Sequence, residues 1–432
     1  MASGLAGDDP LRHVSCSMLN CAVRRVTVPT EKMVSFTWSR QRGGGAVEGV
    51  GALHIVVIGG GALGLSSALH LVERGVAVTV IEASALASGS TGRSIGVVGT
   101  QHVTALDVAM RAYGLRRIRA WAQCGLEFHP IGYLRLGRSD RDLQLFERSL
   151  RYQHESGIDS ARIVEPAEMR ALVPDMSTDG ITCGLFGPDN GFLDPHQLSS
   201  VLAKMVREMG GTVRQRCRLI GADRRGMGYR LKTSAETIDC DGVVIAAGAW
   251  AGRVAELFGQ PLPVLPERHE AVTIRLPEPL AYVMPMVMDL VYGGGGTGLN
   301  FRHDQPGQLV AEIHKSAGSG VADPDDYNEQ IEDAGKEHLA ELLLERLPGL
   351  SGAGFGHGWA GLYPESIDRR PLVGPFDGEP HLIAAAGAGG YGIQLSPIIG
   401  ALAADWLTEG APITLPEAAA LRPDAMRVGP SK

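Results

Sequence analysis

The chain has 432 residues, of which 44% are hydrophobic and 20% are charged, a composition that supplies buried cores and does not indicate wholesale disorder. At the usual size of roughly 100–200 residues per domain, this length predicts two or three domains. The formal net charge of −8 argues against a nucleic-acid-binding protein, because neutralising phosphates requires a basic surface.

Cysteine and glycine usage narrows the class of protein further. The six cysteines are scattered without paired spacing, so we expect neither a disulfide framework nor a metal site, and we predict a reduced, cytoplasmic setting. The 58 glycines gather in short clusters, which we interpret as tight turns where the backbone approaches a ligand. No uninterrupted run of about 18 apolar residues predicts a membrane span.

Residues 1–51 differ in character from the rest of the chain. They mix Arg, Ser and Gly, lack the apolar segment of a signal peptide and end in a glycine-rich stretch. We interpret them as a flexible N-terminal tail or as the product of an upstream start codon. An organelle transit peptide is the alternative, which the acidic residues Asp8, Asp9 and Glu31 weaken.

A β-α-β unit of about 30 residues follows the tail. Residues 54–58 form a short apolar run rich in β-branched residues, residues 62–73 carry the period of a helix, and residues 76–81 predict a second buried strand. The turn between the first strand and the helix reads Gly-Gly-Gly-Ala-Leu-Gly over 59–64, which satisfies the G-x-G-x-x-G pattern of dinucleotide-binding loops. An acid, Glu82, ends the second strand.

Each residue of this pattern has a physical role. We predict that Gly59 permits a tight turn, that Gly61 lets the backbone reach a pyrophosphate, and that Gly64 allows close helix–strand packing. The pyrophosphate then lies at the positive end of the helix, and Glu82 accepts hydrogen bonds from an unphosphorylated adenosine ribose, as in FAD or NAD. The predicted dinucleotide-binding residues are Gly59, Gly61, Ala62, Leu63, Gly64 and Glu82.

A second loop, over residues 87–96, is built from small and hydroxylated residues. We interpret it as another anion cradle, in which backbone amides and hydroxyls face phosphates and Arg93 adds positive charge. A flexible turn is the alternative. The residues placed at the phosphates are Ser90, Thr91, Arg93 and Ser94.

The rest of the chain mixes helices and strands without an internal repeat. Helical periodicity covers residues 106–124, 139–156, 195–209, 333–347 and 398–407. Strand patterns cover residues 132–136, 213–220, 229–233, 243–248, 264–276, 282–288 and 309–314.

Five further segments, in order along the chain, resemble motifs of the FAD-dependent amino acid and amine oxidoreductase family, the D-amino acid oxidase and sarcosine oxidase-like group. The segments are Asp-Asn-Gly-Phe-Leu-Asp-Pro at 189–195, Val-Val-Ile-Ala-Ala-Gly-Ala-Trp-Ala at 243–251, the stretch 261–268, the block 358–374 and the glycine-rich loop 386–397. With the two loops above they cover about residues 53–410, and on them the chain is identified as a member of this family.

The resemblance implies both the cofactor and the reaction. FAD is bound without a covalent link, because Gly361 stands where some members carry the linking cysteine. The flavin takes hydride from the carbon that bears the nitrogen of an amino acid or secondary amine, and water hydrolyses the resulting imine. Electrons then pass to O2 or another acceptor; the oxygen-activating lysine of the oxidases is replaced near Val310, although Lys315 is close. The flavin-side residues implied are Leu219, Ala247, Gly248, Trp250, Gly387, Gly389, Gly390, Tyr391, Gly392, Ile393 and Gln394.

The last glycine-rich loop also has a physical argument of its own. We expect its four glycines to let backbone amides lie against a flat ring. We further expect Pro397 to open a helix whose positive end stabilises the negative charge of reduced flavin.

The resemblance implies Tyr363 beside the substrate and Tyr391 next to the flavin loop, with an ordinary packing role as the alternative for each. Arg268 and His269 open a strand that forms part of the family's pocket floor, where Arg268 either binds a carboxylate or pairs with a neighbouring acid. The candidate catalytic residues are Tyr363, Tyr391, Arg268, His269 and Gln394.

The carboxylate-binding residues of the sarcosine oxidases are replaced in this sequence. Gln394 stands where those members carry a lysine, and Val98 or Gly99 stands where they carry an arginine, which argues against a small zwitterion bound in that manner. Our hypothesis is a larger or less acidic amine, or a carboxylate bound by Arg268 or Arg302.

The fold class implied is α/β, with a Rossmann-like, three-layer ββα FAD-binding domain and an α+β substrate domain built on a mixed sheet. The partner is a small-molecule amine or amino acid. The alternatives on the same fold are a flavin-dependent 2-hydroxy acid dehydrogenase and a non-catalytic FAD-containing assembly protein. The predicted segments are 52–99, 189–262 and 354–412 for the FAD domain, 100–188 and 263–353 for the substrate domain, and 413–432 for a C-terminal tail.

Overall fold

A computed structural model describes residues 53–314, 320–350 and 352–423. The predicted N-terminal tail lies outside these ranges, as do Lys315 and residues 424–432 of the predicted C-terminal tail. The earlier part of that tail differs from the expectation, because Pro416–Leu421 forms a 3-10 helix whose inward side chains are buried against the core.

The described residues form eight α-helices, which differ in how their first turns are capped. Thr104, Ser139 and Asp194 accept backbone N–H bonds with their side chains at the starts of the second, third and fifth helices. The first and last helices have no such cap and no acid in their first turn, which leaves their positive ends available to a ligand. The α-helices of the described residues are α1 Ala62–Glu73, α2 Ala105–Ala122, α3 Asp140–Glu155, α4 Pro166–Leu172, α5 Pro195–Glu208, α6 Ala251–Glu256, α7 Asp333–Arg346 and α8 Gly392–Thr408. None of them is long and apolar enough to span a bilayer.

The strands of the described residues pair into four sheets. In chain order they are β1 His54–Ile58, β2 Ala77–Ile81, β3 Val97–Val98, β4 Phe128–His129, β5 Tyr133–Gly137, β6 Arg162–Val164, β7 Cys183–Gly187, β8 Gly191–Leu193, β9 Thr212–Arg214, β10 Leu219–Arg225, β11 Gly228–Thr233, β12 Thr237–Cys240, β13 Gly242–Ile245, β14 Val264–Arg275, β15 Met286–Leu290, β16 Gly296–Gln305, β17 Gln308–Ile313, β18 Gly354–Ser366, β19 Leu372–Phe376 and β20 Glu379–Ala386. The smallest sheets are β3-β8-β4 and β10-β11-β12.

A six-stranded sheet lies between helices on one side and an antiparallel sheet on the other. Its order is β19-β20-β13-β1-β2-β9, and all neighbours are parallel except β19 and β20. Because successive strand residues face opposite sides, Ile55 and Val57 pack with α1, α2, α5 and α8, whereas Val56 and Ile58 pack with β10, β11 and β12. The three-layer ββα architecture expected from the sequence is confirmed.

The second large sheet has eight strands in the order β18-β14-β17-β16-β15-β5-β7-β6. It is mixed, as expected, because β15 and β5 are parallel whereas the other neighbours are antiparallel. The predicted boundary at residue 354 differs from the structure. Strand β18, assigned from the sequence to the FAD domain, pairs with β14 from Val264–Ser366 to Arg275–Gly354 and is an edge strand of the mixed sheet.

The last helix begins earlier than expected. The sequence rule places Pro397 at the first turn, but α8 begins at Gly392 and carries Pro397 in its interior. Proline has no N–H to give to the carbonyl four residues before it. In this helix the hydroxyl of Ser396 donates to that carbonyl, of Ile393, at 2.9 Å. The positive helix end therefore lies at Gly392, inside the glycine-rich loop.

Candidate cofactor and substrate site

A cavity lies where the carboxyl ends of β1 and β13 meet strands β14, β15, β17 and β18 of the mixed sheet. Its empty volume is about 1450 Å³, counting the solvent space at the open mouth. Residues of both glycine-rich loops and of the mixed sheet line it, so a single cavity joins the predicted dinucleotide cradle to the predicted substrate residues.

The turn after β1 brings the backbone close to the neighbouring strand. Gly59 has φ of +118°, and a Cβ added there would lie 2.3 Å from the carbonyl oxygen of Ala246. Its amide donates to the carbonyl of Ile81 at 2.8 Å. Only glycine fits this position, which lets the chain turn tightly into α1. The loop and the uncapped start of α1 thus form a cradle of backbone amides suited to a pyrophosphate.

Glu82 lies on the cavity wall directly after β2. One carboxylate oxygen accepts the amide of Gly60 at 2.7 Å, and the other accepts the amide of Ser84 at 2.8 Å. Each oxygen of a carboxylate accepts two hydrogen bonds. Glu82 is thus fixed in place with acceptor capacity left for ribose hydroxyls.

The hydroxylated loop also lines the cavity, including its residues Ser90, Thr91 and Ser94. The hydroxyl of Thr91 accepts the amide of Ala62 at 3.1 Å, which ties this loop to the start of α1. Arg93 also lines the cavity, where its guanidinium donates to the carbonyl of Ser88 and forms an ion pair with Glu329. Its charge is balanced by protein groups, so the structure gives Arg93 a part in holding the loop.

The flavin side of the cavity is lined by Ala247, Gly248 and Trp250 after β13 and by residues 389–394 before and within α8. The glycines of this second loop serve different purposes. Gly389 has φ of +51°, and a Cβ on Gly390 would lie 2.3 Å from the ring of Tyr363. Gly392 faces open space, with nothing within 4 Å of the position of a Cβ. The open space and the uncapped end of α8 fit a flat ring laid against this loop.

Gln394 connects three parts of the site. Its side-chain oxygen accepts the amide of Gly99 at 2.7 Å. A Cβ on Gly114, in α2, would lie 2.1 Å from the Gln394 carbonyl oxygen, so that helix packs directly against the loop. The side chain that replaces the family's lysine is thereby occupied in holding the loop in position.

Four predicted residues do not line the cavity. Gly64 packs inward, where a Cβ would lie 2.0 Å from the carbonyl oxygen of Gly59, and Gly387 has φ of +68° and packs on Leu372. The structure corrects two assignments. Leu219, placed at the cofactor, is buried in the core between the parallel sheet and β10-β11-β12. Arg268, placed at the substrate, lies outside the cavity wall.

The two arginines expected to bind a substrate carboxylate have protein partners. Arg268 forms a 2.7 Å ion pair with Glu270 and donates to the backbone of the 328–330 segment. Arg302 is buried, with two bonds to the carbonyl of Ile95 and an ion pair with Asp304 at 2.9 Å. Neither guanidinium faces the cavity, so this part of the hypothesis is corrected.

Aromatic side chains form the substrate end. The rings of Tyr363 and His269 stack with centroids 3.7 Å apart. The hydroxyl of Tyr292 donates to that of Tyr391, which lies 3.1 Å from Nε2 of His314. Burial lowers the pKa of His314 to about 4, so the ring is neutral near neutral pH. All five side chains line the cavity.

Two arginines missed by the sequence reasoning lie at this end. Arg111, on α2, is 3% exposed and its guanidinium carbon lies 4.5 Å from the ring centroid of Tyr391. Within the described residues its side chain forms no hydrogen bond or ion pair. Arg135, on β5, donates to the hydroxyl of Tyr133 at 3.0 Å and lies 4.6 Å from the ring centroid of Tyr292. These two guanidinium groups therefore place positive charge at one part of the substrate end.

Glu312, on β17, is the carboxylate at the substrate end of the cavity wall. It accepts the side-chain amide of Asn300 at 2.9 Å and the hydroxyl of Tyr363 at 3.3 Å. Desolvation raises the pKa of this carboxyl above its ordinary value. It forms no ion pair with any residue of the described part of the chain.

A dinucleotide cradle on a three-layer domain, joined to a mixed sheet that closes a cavity over it, is the architecture of a flavin-dependent oxidoreductase. A model of the family described as FAD dependent oxidoreductase matches residues 54–406. The chain belongs to this family, and FAD is its cofactor.

Three similar proteins illustrate the range of the family. Dimethylglycine dehydrogenase of Rattus norvegicus, named as mitochondrial, is 27% identical over 378 residues, which are 83% of this chain and 43% of that protein. Glycine oxidase of Bacillus licheniformis is 25% identical over 82% of this chain and 92% of its own length. The structure of L-proline dehydrogenase from P. horikoshii superposes with a TM-score of 0.78 at 24% identity, covering 87% of this chain and 98% of that one. The chain spans less than half the length of the dimethylglycine dehydrogenase.

Proposed function

We propose that the protein oxidises the C–N bond of an amine that carries a carboxylate, an amino acid or an N-substituted amino acid. When bound, FAD supplies the hydride acceptor. The observation that carries the proposal is the unpaired guanidinium of Arg111 in the cavity wall. The relatives support it, because glycine, dimethylglycine and L-proline, named for the three similar proteins, are all amines with a carboxylate.

Arg111 has the physical properties of a carboxylate anchor. A buried charge without a partner is unfavourable, and pairing it with an anion relieves this cost. A guanidinium binds a carboxylate through two parallel hydrogen bonds, which also orient the ligand. Arg135 adds positive potential nearby, although its own N–H groups are partly occupied. A substrate carboxylate at Arg111 thus lies beside Tyr391, within the loop that faces the flavin.

Several finer points stay predictions. FAD is bound without a covalent link, and Gly361, which replaces the linking cysteine of some members, lines the cavity. Either O2 or another acceptor reoxidises the flavin. The cytoplasmic setting predicted from the cysteines contrasts with the mitochondrial dimethylglycine dehydrogenase. The two-domain division is also retained as a proposal, with β18 moved to the substrate domain.

The test is anaerobic mixing of the holoenzyme with a panel of donors while the absorbance of oxidised flavin is followed. The panel contains glycine, dimethylglycine and L-proline, the same amines without the carboxylate, and 2-hydroxy acids. We expect only the carboxylate-bearing amines to bleach the flavin. Bleaching by hydroxy acids alone would establish the 2-hydroxy acid dehydrogenase alternative, and bleaching by no donor would favour a non-catalytic protein.

A variant of the anchor sharpens this test. Arg111→Gln removes a charged hydrogen-bond donor of about 1.5–3 kcal/mol. The donor concentration for half-maximal bleaching then rises by roughly 10- to 150-fold. The matched control is Arg116→Gln, an exposed arginine of the same helix that bonds the Ser156 carbonyl outside the cavity. Equal concentration dependence in the two variants would remove Arg111 from the role of anchor.

A further inference from the structure

Glu312, which lines the substrate end of the cavity, has a carboxylate oxygen with spare capacity to accept hydrogen bonds. One oxygen accepts both Asn300, at 2.9 Å, and Tyr363, at 3.3 Å, whereas the other has a single contact, with Tyr363, at 3.4 Å. A carboxylate has about four acceptor positions, so the second oxygen has capacity for a ligand. The residue is half-buried and lines the cavity.

The groups that surround Glu312 leave its charge without a direct partner. Arg302, on the adjacent β16, attracts it, but that guanidinium is bonded to Ile95 and Asp304. Tyr363 on β18 and Tyr133 on β5 are un-ionised, because burial raises the pKa of both hydroxyls. The remaining titratable neighbours are the stacked rings of His269, on β14, and His314. A cation bound here is therefore attracted by the carboxylate through a medium of low dielectric constant.

Resting on the proposed function, we infer that Glu312 binds the nitrogen of the substrate in its ammonium form and accepts a proton from it. Arg111 and Glu312 are an unpaired buried cation and an unpaired carboxylate on the wall of one cavity, a pattern complementary to a zwitterion. The substrate class is thus a zwitterionic amine with at least one N–H, and an uncharged hydroxyl group is disfavoured at the nitrogen position.

The proton transfer is balanced as follows. An ammonium proton moves to the second oxygen of Glu312, and the nitrogen recovers its lone pair. Bound FAD would supply the acceptor for the hydride of the neighbouring carbon, and the lone pair would then form the C=N bond of the iminium product. Glu312 ends as a carboxylic acid and returns its proton to water after the product has left.

The charge preference is measured with two unreactive ligands of nearly equal shape. Trimethylglycine carries a carboxylate and a fixed positive charge, whereas 3,3-dimethylbutanoate replaces the nitrogen with carbon. Binding of each to the oxidised holoenzyme is followed by the change in the flavin absorbance. In the unmodified protein we expect trimethylglycine to bind at least about tenfold more tightly. Equal affinities, or tighter binding of 3,3-dimethylbutanoate, would overturn the inference.

Two variants separate this inference from the proposed function. In Glu312→Gln, trimethylglycine should lose its advantage while 3,3-dimethylbutanoate binds as before. In Arg111→Gln, both ligands should weaken together, because both carry the carboxylate. If neither ligand perturbs the flavin in the unmodified protein, or neither is weakened by Arg111→Gln, the proposed carboxylate site fails and this inference fails with it.

The proton transfer is tested by the pH dependence of anaerobic flavin reduction with a donor that bleaches. With Glu312 present, reduction proceeds near neutral pH because the ammonium is deprotonated in the site. In Glu312→Gln, reduction should fall at pH 7 and rise about tenfold per pH unit toward the pKa of the free amine. A parallel loss of rate at every pH would contradict the role of proton acceptor.

Discussion

Replacing Gly59 with alanine tests whether the first glycine turn builds the FAD cradle. A residue with a Cβ at positive φ costs roughly 1–2 kcal/mol. At Gly59 the added Cβ also meets the carbonyl oxygen of Ala246 at 2.3 Å and its carbon at 2.8 Å. Because backbone atoms cannot turn aside, this overlap adds about 1–3 kcal/mol. We therefore expect Gly59→Ala to lower the free energy of unfolding by roughly 2–5 kcal/mol and to distort the cradle.

The matched control is Gly75→Ala at the other end of α1. Gly75 also has positive φ, +76°, but nothing lies within 4 Å of the position of a Cβ. It shares the backbone strain without the overlap, so we expect a loss of roughly 1–2 kcal/mol. The FAD-to-protein ratio of the purified variants is read from the absorbance spectrum, and Tm is measured with and without added FAD.

Gly59→Ala should be purified with less FAD, and added FAD should raise its Tm less than it raises that of Gly75→Ala. The reasoning is refuted if both variants keep full FAD content and the same Tm. Equal FAD content with a lower Tm in Gly59→Ala would show that the overlap weakens the fold without reaching the cofactor.

Two further predictions concern residues near the cavity. Arg268→Ala should lower Tm, because the ion pair with Glu270 is lost, and leave the donor concentration for half-maximal bleaching within about twofold of the unmodified protein; a large increase would return Arg268 to the carboxylate role. Burial raises the pKa of Glu365 from 4.5 to about 7, against the attraction of Arg369. The folded state therefore holds a proton that the unfolded chain releases, and stability falls as the pH rises from about 5 to above 7. Glu365→Gln lacks this loss, so at pH 8 its free energy of unfolding should exceed that of the unmodified protein by up to roughly 3 kcal/mol, with a higher Tm. At pH 5 the two proteins should have the same Tm. A difference in Tm that does not depend on pH would disprove the assignment.

The nucleotide half of the site was predictable because its constraints are local. Gly59, Gly61 and Gly64 lie within six residues, and their roles follow from contacts between neighbouring backbone segments. The layers of the fold were predictable for a similar reason. Successive residues of a strand face opposite sides of its sheet, and in β1 the residues on both sides are apolar, which indicates a covering layer on each side. The start of α8 was predicted wrongly, because the rule for proline does not anticipate a serine hydroxyl that bonds the orphaned carbonyl.

The substrate end was not predictable in the same way. Its residues come from α2, β5, β17 and the loop before α8, and no local pattern reports which distant side chains meet. Arg268 and Arg302 were the plausible anchors by position in the family's strands, yet both bond to neighbours that the sequence does not reveal. Leu219 was placed at the cofactor by the resemblance alone, whereas in the structure it packs in the core under β10, β11 and β12.

Arg111 did leave a signal in the sequence. It falls on the same helical stripe as Val108, Leu115 and Ile118, all of which are buried. A charged residue on the buried, apolar face of a helix is uncommon unless it pairs with an oppositely charged group or a ligand. Three other arginines on α2 hid this signal, and only the structure shows that Arg116 and Arg119 are exposed and that Arg117 is half-buried.

The packing of helix α2 bears on which donors this protein accepts. Gly114 presses this helix against the Gln394 carbonyl, and Arg111 projects from the same helix one turn earlier. One helix therefore fixes the distance between Arg111, the proposed carboxylate anchor, and the loop proposed to lie against the flavin. On that proposal, we expect a longer or shorter side chain at position 111 to change the chain length of the donor that is accepted, with the dinucleotide-binding loops unchanged.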